Sequence, residues 1–213
     1  MEPIGNFLGG DRLKIAQLQD YLVDIIYEKI DPRAELYGGT AIWRCYGGNR
    51  FSEYIDIYMK RESTEKLIRS LPRYGMRITW RDKEIPTNIK INDGVTELLL
   101  KSKDGSGENI IRQYTRVDGS SLTISVLSPT ELLVRKIEAY EGRGLVRDLY
   151  DIFLLTNHLD RRDYTVSEKL SSFLETVRGP EDEKLLSSLI YSGNNTLSYR
   201  EIIGYLRRWL NEV

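Results

Sequence analysis

Tyr37–Lys60, YGGTAIWRCYGGNRFSEYIDIYMK, opens as a turn suited to a phosphate and closes as a strand suited to a cation. In an extended strand successive side chains alternate faces. Ile55 and Ile57 therefore point together into a core, and Tyr54, Asp56 and Tyr58 point together to the other face. A D-x-D strand is the usual way to set two carboxylates side by side for divalent ions and a triphosphate. Here the first of those positions is Tyr54 and only Asp56 is acidic. Upstream, Gly38 and Gly39 let backbone amides approach a phosphate closely, and a helix following them adds its positive N-terminal end. A Gly-Gly pair alone is commonly just a tight turn. Gly-Gly-Thr shortly before a carboxylate-bearing strand is a more specific combination.

Around this stretch the chain is ordinary in bulk. Its 213 residues are 40% hydrophobic and 30% charged, with 31 Lys+Arg against 32 Asp+Glu and a net charge of −1. No global attraction to nucleic acid or membrane follows from that balance, so any polyanion site is a local patch. The single Cys45 excludes an internal disulfide, and the single His158 excludes a paired-histidine metal site. No apolar signal core and no long apolar run occurs, which predicts a cytoplasmic protein with no membrane partner.

Asp11–Ile30 has helical periodicity and Pro32 follows it. STEKLIRSL, residues 63–71, predicts an amphipathic helix with its own capping signal. MRITWRD, TNIKIND, VTELLLKS, NIIRQYTRV and SLTISVLS are short alternating runs separated by Asp-Gly and Gly-Ser turns, which predicts a meander of antiparallel strands. From Ser128 the chain is helical. Ser128 is an N-cap with Pro129 and Glu131 behind it, and further helices are expected over VRDLYDIFLLTNHL, Ser167–Val177, Glu181–Tyr191 and Ser198–Glu212. The expectation is an α+β domain over residues 1–127, a mixed sheet with flanking helices, followed by an all-helical domain over residues 128–213.

GGTAIWRCYGGNRFSEYIDIY resembles the GGTA…RFSxDxD signature of the AbiEii-type nucleotidyltransferases, which belong to the polymerase-β-like superfamily and include toxin–antitoxin and abortive-infection toxins. ELLVRKIEAYEGRGLVRDLYDIFLL is similar to that family's K-x-x-A-x-x-x-R helix followed by R-D-x-x-D, and NIKIND falls where the family has a strand with a lysine and an acid. The likeness runs from about Tyr37 to Leu155.

The resemblance implies nucleotidyl transfer from an NTP, with Mg²⁺, to an acceptor such as tRNA, another RNA or a protein, and it implies a cognate antitoxin. It places Gly38, Gly39 and Thr40 at the nucleotide phosphates, Asp56 at the metal, and Lys90 on the strand lysine. Lys136 and Arg143 fall on positions of triphosphate contact. Tyr54 and Asn92 stand where two further acids are expected, so the resemblance also admits a catalytically dead module that binds nucleotide, RNA or a partner protein. Tyrosine is neutral at pH 7 and an amide is a weak ligand, so Asp56 alone is a poor cage for Mg²⁺.

The residues themselves leave alternatives. Arg50 is either a phosphate contact or a surface arginine. Lys136 and Arg143 share a helix face, which is either a phosphate site or a solvated basic face. Arg147 and Asp151, four apart, are most simply a helix-bracing ion pair. Lys90 shares a face with Asn92 and reaches Asp56 only if the strand order allows it.

Overall fold

The computed structural model describes residues 2–82, 87–193 and 197–211. The chain divides into two compact units, one built from residues 1–45 and 51–127 and the other from residues 46–50 and 128–213.

The first unit is a seven-stranded mixed sheet with helices. Helix α1 spans Gly10–Ile25 and continues as a wider π turn, Ile26–Ile30, that ends just before Pro32. Strand β1 (Glu35–Tyr37) runs directly into α2 (Gly38–Cys45), so the chain is helical from the glycine pair through Cys45. Then follow β2 (Tyr54–Tyr58), α3 (Arg61–Ser70), β3 (Arg77–Arg81), β4 (Thr87–Asn92), β5 (Glu97–Lys103), β6 (Asn109–Thr115) and β7 (Ser121–Leu127). The predicted capping signal of α3 is not used. The helix starts at Arg61, the Ser63 hydroxyl donates to Asp31, and the Thr64 hydroxyl lies 2.6 Å from that of Ser102.

The five-strand meander is corrected. The sheet order is β3-β4-β5-β2-β1-β7-β6. β3, β4 and β5 do form antiparallel neighbours, and β6 and β7 form a hairpin, but β2 and β1 lie between the two groups. β2 pairs parallel with β5, and β1 pairs parallel with β7. The physical reason is burial. Leu36, Ile55 and Ile57 are wholly inaccessible to solvent, and a strand so covered belongs in the middle of a sheet rather than on an edge. With Ile89, Ile91, Leu98, Leu100 and Val126 they form one closed face. Helices α1 and α2 pack on the sheet.

The second unit is all helical: α4 (Pro129–Arg143), α5 (Val146–Leu155), α6 (Tyr164–Thr176), α7 (Leu186–Leu189) and α8 (Tyr199–Asn211). The Ser128 hydroxyl accepts from the Glu131 amide, as the Ser-Pro-Thr-Glu start requires, and Gly144 closes α4 in the left-handed conformation (φ 62°). α6 begins three residues before its predicted start, because the Asp163 carboxylate accepts from the Thr165 and Val166 amides. The helix expected over Glu181–Tyr191 is instead a 3₁₀ turn at Glu183–Leu185 joined to the single turn of α7. Glu212, the predicted end of the last helix, lies outside the described residues. Among the described residues, no helix is long and apolar enough to cross a membrane.

Truncation of Ile57, fully buried on β2, the middle strand of the sheet, should cost about 2–5 kcal/mol. Urea unfolding of Ile57→Ala measures it, and a loss below about 1 kcal/mol would show that the closed face is not the core.

Candidate functional site

In the first unit the site is built on β2. Tyr54 and Asp56 are half-buried on the face opposite Ile55 and Ile57, as alternation requires. The β1–α2 junction lies against them. Gly38 has φ +73°, and a Cβ there would run into the Asp56 side chain, 3.0 Å from Cγ and closer still to Oδ2. Glycine is thus required twice, for the left-handed backbone and for the approach to a carboxylate. Gly39 is buried behind it. Thr40 is fully buried, and its hydroxyl donates to the Tyr54 carbonyl, tying α2 to the site strand.

Register assigns the neighbours of Asp56. It pairs with Tyr37 on β1 and with Lys101 on β5. Paired residues project to the same face, and the Lys101 ammonium lies 3.8 Å from Asp56 Oδ1 and 4.7 Å from the centre of the Tyr54 ring. Two residues on, the Lys103 ammonium lies 5.7 Å from the Tyr58 ring, which is itself stacked on Tyr37 at 4.5 Å.

Lys90 does not lie opposite Asp56. β5 intervenes, and the register runs from Lys90 through Leu99 to Tyr54, two strand spacings or about 10 Å. Its ammonium is 3.3 Å from Glu97, on the exposed part of the same face. Asn92 accepts from the Gly94 amide in the turn that follows β4. Asp93, adjacent to that vacated acid position, accepts from the Val95 and Thr96 amides of the turn.

This donor set does not fit a divalent cation. Asp56 is one carboxylate with an ammonium beside it and a phenol ring where a second carboxylate would stand. Hard divalent ions need several anionic oxygens, and among the described residues no group of three or more His, Cys, Asp or Glu gathers anywhere. What the arrangement can do is bind an anion: a left-handed glycine at a helix start, with a half-exposed ammonium on the next strand but one.

In the second unit, Arg50, Lys136 and Arg143 converge on two aspartates of α5. Asp148 and Asp151 are wholly or almost wholly buried. Arg50 grips Asp151 with both prongs, at 2.9 and 2.8 Å. Lys136 bridges the pair, 2.6 Å from Asp151 and 2.9 Å from Asp148. Arg143 holds Asp148 at 2.7 and 2.8 Å, with its own side chain 44% exposed. Arg50 is therefore buried rather than a surface arginine. The bracing pair expected between Arg147 and Asp151 is corrected too: Asp151 is engaged by Arg50 and Lys136, and among the described residues no ion pair joins it to Arg147.

The reason lies in the helix start. Leu145 is the N-cap of α5, so Asp148 and Asp151 sit one turn apart on the face that meets α4. Burial pushes the Asp148 carboxyl up, but its hydrogen bonds and charge contacts with Arg143 and Lys136 outweigh this and hold it below the usual carboxylate value. Burial likewise opposes the Arg50 charge and is outweighed by Asp151.

Sequence reasoning missed Lys101 and a second buried pair, Arg44 with Asp20. Arg44 lies 3.1 Å from Asp20, and its guanidinium is 4.0 Å from the Trp43 ring. The Arg44 signal was a lone cation inside an apolar run. Lys101 had none, because its importance depends on β5 pairing with β2.

Residues 20–190 match the family profile described as "Nucleotidyl transferase AbiEii toxin, Type IV TA system". The fold is similar to MenT4, a nucleotidyltransferase toxin from Mycobacterium tuberculosis, with TM-score 0.64 and 16% identity over 95% of this chain and 85% of that one. It is also similar to JHP933 from Helicobacter pylori, with TM-score 0.63 and 18% identity over 96% of this chain and 92% of that one. The antibiotic-resistance factor ANT(2'')-Ia is more distant, with TM-score 0.52 and 13% identity over 78% and 94%. Among curated proteins, none matches the sequence.

Gly38→Ala should lose about 1–2 kcal/mol to the left-handed backbone and more to the collision with Asp56. Thermal unfolding reads it, and an unchanged melting temperature would refute the close approach. Asp148→Asn should cost about 3–5 kcal/mol at pH 7, since it takes a buried carboxylate from two cations. A depressed folded pKa gives stability that is complete above the unfolded value near 3.8 and is lost as pH falls through the folded value. Urea unfolding at pH 7, 5 and 3 should therefore show the gap between the two proteins constant from pH 7 to 5 and narrower at pH 3.

Proposed function

The chain belongs to the AbiEii family of nucleotidyl transferase toxins, a type IV toxin–antitoxin family, and on that premise we propose that it binds a nucleoside triphosphate on the Asp56 face of its sheet and passes a nucleotide to an RNA or protein acceptor, with the transfer step weakened at Tyr54. The observation that supports this reading is the approach of Gly38 to Asp56, which brings the glycine turn, the start of α2 and the remaining carboxylate together.

In this reading the amides at Gly38 and Gly39 receive the phosphates, and the N-terminal end of α2 adds its partial positive charge. Thr40 acts from behind, fixing the turn to β2 through the Tyr54 carbonyl. Asp56 orients the cation beside it. Lys136 and Arg143, which the resemblance assigns to triphosphate contact, are held on Asp148, with Arg143 the more exposed of the two. Mg²⁺ is the ion such transfer ordinarily uses, and tRNA is one acceptor of the class proposed. A cognate antitoxin is the proposed protein partner, and the cytoplasm the proposed compartment.

A second reading is favoured by a specific observation. Lys101 beside Asp56 suits a catalytically silent module that binds nucleotide, RNA or a partner protein.

Label transfer separates the two. The chain, Tyr54→Asp, and Tyr54→Asp combined with Lys101→Ala are each incubated with Mg²⁺, one α-labelled NTP at a time, total tRNA and a protein extract. Weak labelling of RNA or protein by the unmodified chain, rising about tenfold or more in the double variant, is expected; that factor corresponds to about 1.4 kcal/mol of transition-state stabilisation. Silence from all three sinks the transfer reading in favour of the silent module.

A further inference from the structure

The misfit between Asp56's neighbours and a divalent ion has a positive content. We propose that Lys101 is the resident cation of this site: its ammonium takes the place that a divalent ion would fill, so the chain binds nucleoside triphosphate without metal. The inference rests on the triphosphate reading above and specifies which group neutralises the phosphates.

Three observations carry it. Lys101 stands opposite Asp56 in the parallel β2–β5 ladder, a position fixed by five consecutive paired residues from Tyr54↔Leu99 to Tyr58↔Lys103. Its ammonium is held from two sides, 3.8 Å from the Asp56 carboxylate and 4.7 Å from the centre of the Tyr54 ring. Tyr54 therefore has a function as tyrosine: its ring faces a cation, where an aspartate would have called for a metal ion. Finally, the ammonium stays available. The distance to Asp56 is beyond hydrogen-bond range, so its three donors are not consumed there, and the side chain is 35% exposed.

On this face β5 presents two ammonium groups, Lys101 and Lys103, against the carboxylates of Asp56 on β2 and of Glu35 on β1, which register sets opposite Tyr58. A carboxylate pair in the same place would repel a triphosphate until divalent ions arrived. Lys101 and Tyr54 thus act as one substitution: a cation placed by register and a ring that receives it.

Equilibrium dialysis tests the proposal. The full chain, Lys101→Met and Lys101→Arg are each dialysed against α-labelled ATP, GTP, CTP and UTP, one at a time, in Mg²⁺ and again in EDTA. The expected result is binding of at least one NTP with the same affinity in both buffers to within about threefold, weakened about tenfold or more in Lys101→Met and retained in Lys101→Arg. Retention in the arginine variant separates lost charge from lost folding, and circular dichroism of all three proteins provides the check. Binding that requires Mg²⁺ overturns the inference and leaves the triphosphate reading standing. Metal-free binding that Lys101→Met leaves unchanged overturns the assignment to Lys101. No binding in either buffer overturns the inference and the triphosphate reading with it.

Discussion

Everything in the first unit depends on the two-sided pairing of β2. Hydrogen-bonded to β1 on one side and β5 on the other, the strand has no freedom to slip, because a one-residue shift would exchange Ile55 and Ile57 for Tyr54 and Asp56 in the core. Two fully buried isoleucines, each worth about 1.5–3 kcal/mol of transfer free energy, oppose that exchange. The same constraint sets the site. With β2 fixed, Asp56 must face Tyr37 and Lys101, and Gly38, one residue past the end of β1, must arrive at its carboxylate. The packing of one face thus dictates the chemistry of the other.

The two units use buried charge to different ends. Asp20 in the first unit is ion-paired with Arg44 and accepts hydrogen bonds from Tyr114 and the Val117 amide. Burial is the larger effect there, and the Asp20 carboxyl is raised above its ordinary value. Asp148 in the second unit is just as enclosed but faces two cations, Lys136 and Arg143, and is lowered. Desolvation opposes the charge on both carboxylates; at Asp148 the hydrogen bonds and charge contacts of Arg143 and Lys136 outweigh it, and at Asp20 those of Arg44, Val117 and Tyr114 do not, with Asp24 adding repulsion. Truncating a partner in either group strands a charge out of water, which is why such groups are far more costly to break than they are stabilising to have.

What the sequence disclosed followed from local rules. Period-two alternation placed Ile55 and Ile57 inside and Tyr54 and Asp56 outside, and the Ser-Pro-Thr-Glu start and Gly144 bracketed α4. The family was legible because its motifs are contiguous. The non-local features were not. Nothing in ELLLKSK tells that β5 lies parallel to β2, which sets Lys101 opposite Asp56 and puts a strand between Asp56 and Lys90. Likewise the four-residue spacing of Arg147 and Asp151 suggested a pair within one helix. The competing partner, Arg50, lies 101 residues away in sequence and no spacing rule reaches it.

Tyr54 and Lys101 occupy positions on which the folding of the sheet does not depend. Both lie on the half-exposed face, where a substitution changes charge and ring contacts but removes nothing from the core. Asp56 and Gly38 are under a different constraint. The glycine is needed by the backbone of the β1–α2 junction whatever binds there, and a longer residue at position 56 would have to fit against it. Residues fixed by backbone geometry persist when a site changes its chemistry, and those fixed only by a ligand are free to be replaced. On this argument the glycine turn follows from the fold, and the pair on the open face, Tyr54 with Lys101, is what the proposed metal-free phosphate site draws on.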